Sequence, residues 1–184
     1  ASLAWFNTIR DCLDKVKEMI NWDEKYPCKD LGNGKVRSVG LAVAMQGSAI
    51  SHVDVASVTI KVNDDGFYSM MIGATDMGTG CDTILAQMAA DCLDTHVDNI
   101  VVYGVDTDIS PYDSGSYASS TTYLTGNATI KTCQMLREKI IAAGAEMLEI
   151  DIEDADFDGE KVYSVKEEKS ITLKDIANNV MCYS

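Results

Sequence analysis

Two loops rich in glycine and small hydroxyl residues each precede a stretch with the apolar pattern of a helix. The first loop covers residues 73–80 (GATDMGTG) and the second covers residues 113–122 (DSGSYASSTT). Loops of this composition at the start of a helix present backbone N–H groups, which are natural partners for anions. The chain must therefore form two strand–loop–helix connections. We expect the two loops to hold one large phosphorylated or oxyanionic ligand between them.

The spacing of apolar residues predicts an α+β fold, a mixed or antiparallel sheet with packed helices, as a single domain over residues 1–184. Helices are predicted from the first residues to before Pro27, over 82–93, over 119–143 and after a capping box at 172–175. Strands are predicted over 35–46, 54–63, 67–72, 100–103, 147–152 and 161–165. Gly144 is expected to follow the end of the third helix.

Acidic residues dominate the charge of the chain, with 29 Asp and Glu against 15 Lys and Arg and a net charge of −14. Such a chain repels nucleic-acid phosphates and anionic lipid, so neither nucleic acid nor a membrane is expected as a partner. The 6 cysteines include no C-x-x-C pair, which disfavours zinc and iron–sulfur sites and fits a reducing, cytoplasmic location. Cys12, Cys92 and Cys133 lie among apolar helix residues and are expected in the core.

Other polar residues invite metal or nucleophile assignments that we weigh against simpler ones. Asp106, Asp108 and Asp113 are expected to bond loop N–H groups and fix turns rather than hold a metal. Cys81 opens a predicted helix, where a thiolate would be stabilised. The hydroxyls of the second loop are expected to cap the following helix, whether or not they also bind a ligand. No metal site and no catalytic triad are predicted.

Several segments together carry a resemblance to a known family. They are GLAV at 40–43, the run from 65 through the first loop, LAQMAA at 85–90, the stretch from DTD at 106–108 through PYDSGSYAS at 111–119, and GNA at 126–128. Over nearly the whole chain these segments resemble the molybdenum-cofactor subunit of the molybdenum hydroxylases. That family includes xanthine dehydrogenase, aldehyde oxidase and nicotinate dehydrogenase.

The resemblance implies a molybdopterin-type molybdenum cofactor, with the cytosine dinucleotide form as one option, and a fold like that of the family's cofactor-binding domain. It also implies hydroxylation of a purine, aldehyde or N-heterocycle with oxygen from water, and electron transfer to iron–sulfur and flavin partners. Ala118 would lie beside the molybdenum. The cofactor-binding residues implied by position are Met77, Gly78, Thr79, Gly80, Ser116, Ala118, Ser119, Ser120 and Thr121.

The sequence departs from the family pattern at two of these positions. Thr79 stands where the family commonly has Gln, and Ser120 stands where it often has Arg. The family's catalytic Glu would lie beyond the end of this chain, so no catalytic residue is assigned. We expect a piece of a larger molybdenum subunit that binds the rest of that subunit, lacks the cofactor by itself and is inactive alone. The alternative is a non-catalytic assembly or scaffolding domain that has lost its cofactor contacts.

Overall fold

A computed structural model describes residues 2–45 and 52–183, with the side chains of residues 8–45 and 52–182. The chain divides into two compact units, Ala1–Met45 and Gln46–Ser184. Helices and sheets occur together, so the predicted α+β class is confirmed. The single domain over 1–184 stays a prediction. None of the helices in the described ranges is both long enough and apolar enough to cross a bilayer.

The first unit contains two helices and one hairpin: α1 (Ser2–Ile20), α2 (Trp22–Lys25), β1 (Lys29–Gly32) and β2 (Lys35–Arg37). The turn between the strands places Asn33 and Gly34 at positive φ, as a two-residue hairpin turn requires. The strand predicted over 35–46 ends at Arg37, because its partner strand begins at Lys29, which pairs with Arg37. Residue 46 lies outside the described residues.

The second unit is built on a three-stranded sheet in the order β3–β4–β5, formed by β3 (Val58–Val62), β4 (Tyr68–Ile72) and β5 (Ile100–Tyr103). β3 and β4 form the predicted antiparallel hairpin, and β4 and β5 pair in parallel. The parallel connection runs through α3 (Cys81–Cys92). The predicted strand from residue 54 begins only at Val58, because the backbone of Val55 bonds to Ser114 instead of the sheet.

The longest helix, α4 (Thr121–Leu148), continues through Gly144, so the predicted end at Gly144 is wrong. A Cβ atom on Gly144 would lie 2.5 Å from Cβ of Val162. The glycine therefore permits close packing of the helix on a strand, and it does not terminate the helix. The helix ends instead at Glu149, which has a left-handed conformation. The strand predicted over 147–152 is also wrong, because residues 147 and 148 belong to α4.

A second three-stranded antiparallel sheet follows α4, formed by β6 (Ala155–Phe157), β7 (Lys161–Ser164) and β8 (Ser170–Thr172). The sequence did not predict β8, which has only three residues, of which only Ile171 is even half-buried. The chain then forms α5 (Leu173–Tyr183). Thr172 Oγ1 accepts the N–H of Asp175 at 3.1 Å, so Thr172 caps α5 as predicted. The Asp175 carboxylate accepts the Thr172 hydroxyl at 2.6 Å, whereas in a full capping box it would accept the backbone N–H of Thr172.

The core of the second unit lies around the central strand β4, where Tyr68, Met70 and Ile72 are fully buried. Cys133 of α4 is buried there as predicted, and Cys92 is half-buried. Cys12 is exposed, so its predicted core position is wrong. No described side chain over 8–45 is classed as buried. A unit of this size cannot bury enough surface to enclose its own thiol.

Candidate functional site

The two glycine loops begin at the same edge of the β3–β4–β5 sheet. The first loop follows β4 and the second loop follows β5, and these strands run in parallel. The carboxyl ends of parallel strands meet at one edge of a sheet, so loops that follow them become neighbours. The topology thus brings together two loops that are some forty residues apart in the sequence.

The loops touch at Gly73, where no side chain could fit. A Cβ atom at this position would lie 2.5 Å from Cβ of Asp113 and 2.5 Å from the carbonyl oxygen of Pro111. Next to this contact, the hydroxyl of Ser116 donates to the carbonyl oxygen of Thr75 at 3.1 Å. The loops are therefore joined by close packing and by a hydrogen bond.

A cavity of about 400 Å³ opens where the loops meet. Thr79 lines it from the first loop, and residues of the second loop line the rest: Ser116, Tyr117, Ala118, Ser119, Thr121 and Thr122. None of these lining residues carries a charge, although the chain has a net charge of −14. All but Ala118 carry a hydroxyl, a group that can donate a hydrogen bond to an oxyanion. The hydroxyls of Ser116 and Tyr117 already donate within the protein, to Thr75 and to Asp54. Both loops face one hollow, as the sequence predicted.

The predicted ligand-binding residues divide into two groups. Thr79, Ser116, Ala118, Ser119 and Thr121 belong to the lining of the cavity. The others lie in the same loops outside that lining: Met77, Gly78, Gly80 and Ser120.

Two further residues, Tyr117 and Thr122, line the cavity and were not predicted. Both lie inside the second loop as the sequence delimits it, and their hydroxyls were the available signal. The roles of all these residues in ligand binding stay predictions.

The second loop has an unusual backbone just before α4. Ala118 and Ser119 are consecutive residues at φ 55° and φ 59°, and Gly115 has φ 122°. Left-handed conformations at residues with a side chain are uncommon and cluster at functional sites. Ala118 is only 5% exposed. The loop is thus held in a conformation that the surrounding structure must enforce.

The hydroxyls of the second loop were predicted to cap α4, but Ser120 does not do so. It occupies the N-cap position without a side-chain capping bond, because its hydroxyl donates to the carbonyl oxygen of Tyr117 at 2.7 Å. The first N–H groups of a helix have no partner within the helix. Thr121 and Thr122 at the N-terminus of α4 line the cavity, and the Ser120 hydroxyl does not bond to the N–H groups of this helix end.

The first loop is organised by Asp76. One carboxylate oxygen accepts the N–H of Gly78 at 2.8 Å and the N–H of Gly80 at 3.1 Å. These bonds lower the pKa of Asp76 below its ordinary value. The two N–H groups that the sequence suggested for a ligand are thus already bonded. At Gly78 and Gly80 a ligand could still approach the backbone closely, because neither residue has a side chain.

Two of the three aspartates near the second loop fix turns as predicted. Asp106 accepts the N–H of Asp108 at 3.0 Å, and Asp113 accepts the N–H of Gly115 at 2.8 Å. Asp113 also accepts the hydroxyl of Thr125 at 3.3 Å, which ties the loop to α4. Their carboxylates are therefore used within the fold.

Cys81 is 2% exposed at the start of α3. Burial raises the pKa of its thiol, and the nearby carboxylates of Asp82 and Asp76 add to the effect. Desolvation therefore opposes the stabilisation that a helix N-terminus would offer a thiolate at Cys81. Ligand-type atoms of Asp76, Cys81 and Asp82 lie within 4.8 Å of one another. Asp76 is already bonded to loop N–H groups, and we assign no metal to the group.

Comparison with known proteins decides which family this site belongs to. The model of the molybdopterin cofactor-binding domain matches residues 15–183. The chain belongs to this family. The predicted resemblance to the molybdenum-cofactor subunit of the molybdenum hydroxylases is thereby confirmed.

Relatives of this molybdopterin cofactor-binding domain include two bacterial proteins. The probable hypoxanthine oxidase XdhD of Escherichia coli strain K12 is 38% identical over 141 residues, which are 76% of this chain and 14% of the relative. The xanthine dehydrogenase molybdenum-binding subunit of Escherichia coli O157:H7 is 32% identical over 142 residues, 75% of this chain and 19% of the relative. The domain thus spans less than a fifth of these relatives.

A solved structure has the same fold. The reconstituted CO dehydrogenase from Oligotropha carboxidovorans matches with a TM-score of 0.62 and 28% identity, covering 68% of this chain and 16% of that chain. The donor set of the cavity suits a molybdopterin-type group. Such a group carries phosphate, which uncharged hydroxyls and a helix N-terminus accommodate without repulsion.

Proposed function

We propose that this domain binds a molybdopterin-type molybdenum cofactor in the cavity between its two glycine loops, as part of a larger molybdenum hydroxylase subunit. The observation that carries the proposal is the uncharged, hydroxyl-rich lining of the cavity in a strongly acidic chain. When bound, such a cofactor supplies hydroxylation of an electrophilic carbon with water as the oxygen source. The residues of this domain bind and orient it.

The second loop makes the larger contribution to binding. Ser119 and Thr121 bring hydroxyls to the cavity lining, and the N-terminus of α4 adds a positive dipole end. Thr79 adds one short hydroxyl from the first loop. Ser116 lines the cavity but donates its hydroxyl to Thr75, so it would act by joining the loops. Hydrogen bonds from hydroxyl donors to anionic oxygens are roughly twice as strong as neutral ones.

Ala118 would let a ligand come closer to the backbone than the other lining residues would. It has the smallest side chain among the lining residues and is almost fully buried. We assign it to the position beside the molybdenum. Met77, Gly78 and Gly80 would cover the pterin from the first loop, and Ser120 would act through the fold of the second loop.

The substrate and partners follow from the same proposal. A purine, an aldehyde or an N-heterocycle is the substrate class. The names of the two bacterial relatives favour a purine. The rest of the molybdenum subunit and iron–sulfur and flavin partners complete the enzyme, in the cytoplasm, and the cytosine dinucleotide form of the cofactor is one option. By itself this chain is proposed to hold no cofactor and to be inactive.

A non-catalytic assembly domain is the second candidate function. It is favoured by the bonds that Asp76 makes to the N–H groups of Gly78 and Gly80, and by the Ser120 hydroxyl, which points to Tyr117. These contacts remove donors that a cofactor could use. The experiment below separates the two candidates.

The test is to express the complete subunit with its partners and to measure molybdenum and pterin bound per subunit. Thr121→Val removes one cavity hydroxyl with little change of shape and should weaken cofactor retention about 10- to 100-fold, the value of one hydrogen bond to a charged group. Thr132→Val in the same helix is the matched control. Its hydroxyl bonds to Ala128 away from the cavity, and retention should not change.

Ala118→Leu crowds the cavity and should lower turnover about a hundredfold. Normal turnover in this variant would contradict the placement of Ala118. A wild-type subunit without molybdenum and without pterin, made in cells that produce the cofactor, would overturn the binding proposal and favour the assembly domain.

A further inference from the structure

The segment just before β3 is bonded to the second loop. The N–H of Ser114 donates to the carbonyl oxygen of Val55 at 3.0 Å, and the N–H of Val55 donates to Oγ of Ser114 at 3.1 Å. The hydroxyl of Tyr117 donates to the carboxylate of Asp54. These bonds join residues about sixty positions apart. The sequence predicts that Asp54 and Val55 belong to a strand, but in the structure both residues bond to the second loop.

Tyr117 connects this segment to the cavity. It lines the cavity, and it directly precedes Ala118 and Ser119, the two left-handed residues. Its ring also lies against the turn at Gly115, where an added Cβ atom would be 3.3 Å from Cδ1 of the ring. Fixing both ends of the Tyr117 side chain therefore fixes the bend of the loop between residues 115 and 119.

The loop needs such a restraint, because a left-handed conformation is sterically unfavourable for a residue that carries a Cβ atom. Two consecutive residues in this conformation persist only where other contacts determine them. The bond to Asp54 raises the pKa of Tyr117 above its ordinary value. A tyrosine hydroxyl is protonated at neutral pH even without such a shift, so Tyr117 can donate to Asp54 there.

We propose that the Asp54–Tyr117 hydrogen bond is a positioning device that holds the second loop in its cofactor-accepting conformation. The inference rests on the proposed function. Asp54 does not line the cavity, and its hydrogen bond to Tyr117 is the contact that links it to the cavity lining. Asp54 and Tyr117 are thus positioning residues that organise the cavity before a ligand arrives, which limits the ordering cost of binding.

The experiment uses the complete subunit with its partners and four proteins: wild type, Tyr117→Phe, Asp54→Ala and the double variant. Tyr123→Phe is the matched control, since Tyr123 lies nearby in α4 and is 72% exposed. Three quantities are measured: hydrogen exchange of the peptide covering 113–120, the rate of molybdenum and pterin loss on dilution, and the melting temperature.

Each single variant should raise exchange within 113–120 and speed cofactor loss roughly tenfold, as expected for one lost hydrogen bond to a charged group. The double variant should be no worse than either single variant, because all three lack the same bond. Tyr123→Phe should match wild type. Cofactor loss at the wild-type rate in both single variants overturns the inference, as does an additive double variant. A wild-type subunit that holds no cofactor contradicts the proposed function itself, which distinguishes the two failures.

Discussion

Gly73 packs closely against Asp113, with 2.5 Å between Cβ of Asp113 and the position a Cβ atom would take on Gly73. This contact is where the end of the first strand of the β4–β5 pair meets the second loop. A side chain at Gly73 would not fit between the two loops, so the glycine is what allows them to pack this closely.

Replacing Gly73 with Ala should force the loops apart. The new Cβ atom would overlap Asp113 and the carbonyl oxygen of Pro111, and a backbone atom cannot move aside easily. The free energy of unfolding should fall by about 1–3 kcal/mol, as is typical of overpacking. Urea denaturation measures this change. Gly40→Ala is the control, since nothing lies within 4 Å of an added Cβ there, and unchanged stability of Gly73→Ala would contradict the contact.

Two glycines of α4 should respond differently to the same substitution. Gly144→Ala places a Cβ atom 2.5–2.7 Å from three atoms of the buried Val162 side chain, and should lower the free energy of unfolding by about 1–3 kcal/mol. Gly126→Ala meets only the flexible end of Met88 at 2.9 Å. The higher helix propensity of Ala, up to about 1 kcal/mol, should offset that contact.

Calorimetric melting of the two variants measures this difference. Adding Val162→Ala to Gly144→Ala should recover part of the lost stability, because it removes Cγ1 and Cγ2, two of the three atoms that the new methyl group meets, while Cβ stays. Equal melting temperatures for Gly126→Ala and Gly144→Ala would rule out the close approach of α4 to β7.

The charge of Asp76 should stabilise the fold in a pH-dependent way. Its pKa is lowered from the ordinary value of 3.8, first by the N–H of Gly78 and then by the N–H of Gly80. A carboxyl group that is more acidic in the folded state adds stability above its unfolded-state pKa and loses it as pH falls through its folded-state pKa. Wild type should therefore exceed Asp76→Asn in stability at neutral pH, and the difference should shrink below about pH 3.8.

Urea denaturation at several pH values measures the effect of Asp76. The variant retains an oxygen that can accept the loop N–H groups, so the comparison isolates the charge. Asp91→Asn on the exposed face of α3 supplies the same change of charge elsewhere. A pH-independent difference between wild type and Asp76→Asn would exclude the carboxylate as the cause.

Arg137 of α4 joins the helix to the second sheet through a fork of hydrogen bonds. Its guanidinium donates to Asp94 at 2.6 Å, to Asp156 at 3.3 Å and to the carbonyl oxygen of Phe157 at 2.6 Å. It also lies 5.5 Å from the centre of the Phe157 ring. Arg137→Lys keeps the charge but not the fork, and should cost about 1–3 kcal/mol.

The loss in Arg137→Lys should persist at high salt. Salt screens the pairs with Asp94 and Asp156, but it does not restore the bond to the Phe157 carbonyl oxygen. Unfolding curves at low and high ionic strength test this expectation. A difference that vanishes at high salt would mean that the ion pairs alone account for the role of Arg137.

The sequence predicted the parts of the fold that local rules control. The β3–β4 hairpin followed from alternation of apolar residues and the turn at 63–66, and the capping box placed the start of α5 close to Thr172. Gly144 misled the prediction because a glycine that ends a helix and a glycine that packs on a strand look alike. Only the position of Val162, which is set by tertiary packing, distinguishes them.

The candidate site was predicted in outline and not in detail. Both loops could be located from their composition, and the structure brings them to one cavity. The bonds from Asp76 to the loop N–H groups depend on positive φ angles that composition does not specify. The pairing of Tyr117 with Asp54 joins residues 63 positions apart, beyond the reach of any local pattern.

The parallel pairing of β4 with β5 has a consequence for how this domain tolerates change. The residues proposed to contact a ligand lie in loops at the carboxyl ends of β4 and β5, whereas the buried core lies around the middle of the strands. Mutations at Thr79, Ser119 or Thr121 can therefore alter ligand recognition at little cost to folding, whereas Gly73, Asp76 and the buried Ala118 must be kept. At these three mutable positions, ligand selectivity can change while the stability of the folded core is maintained.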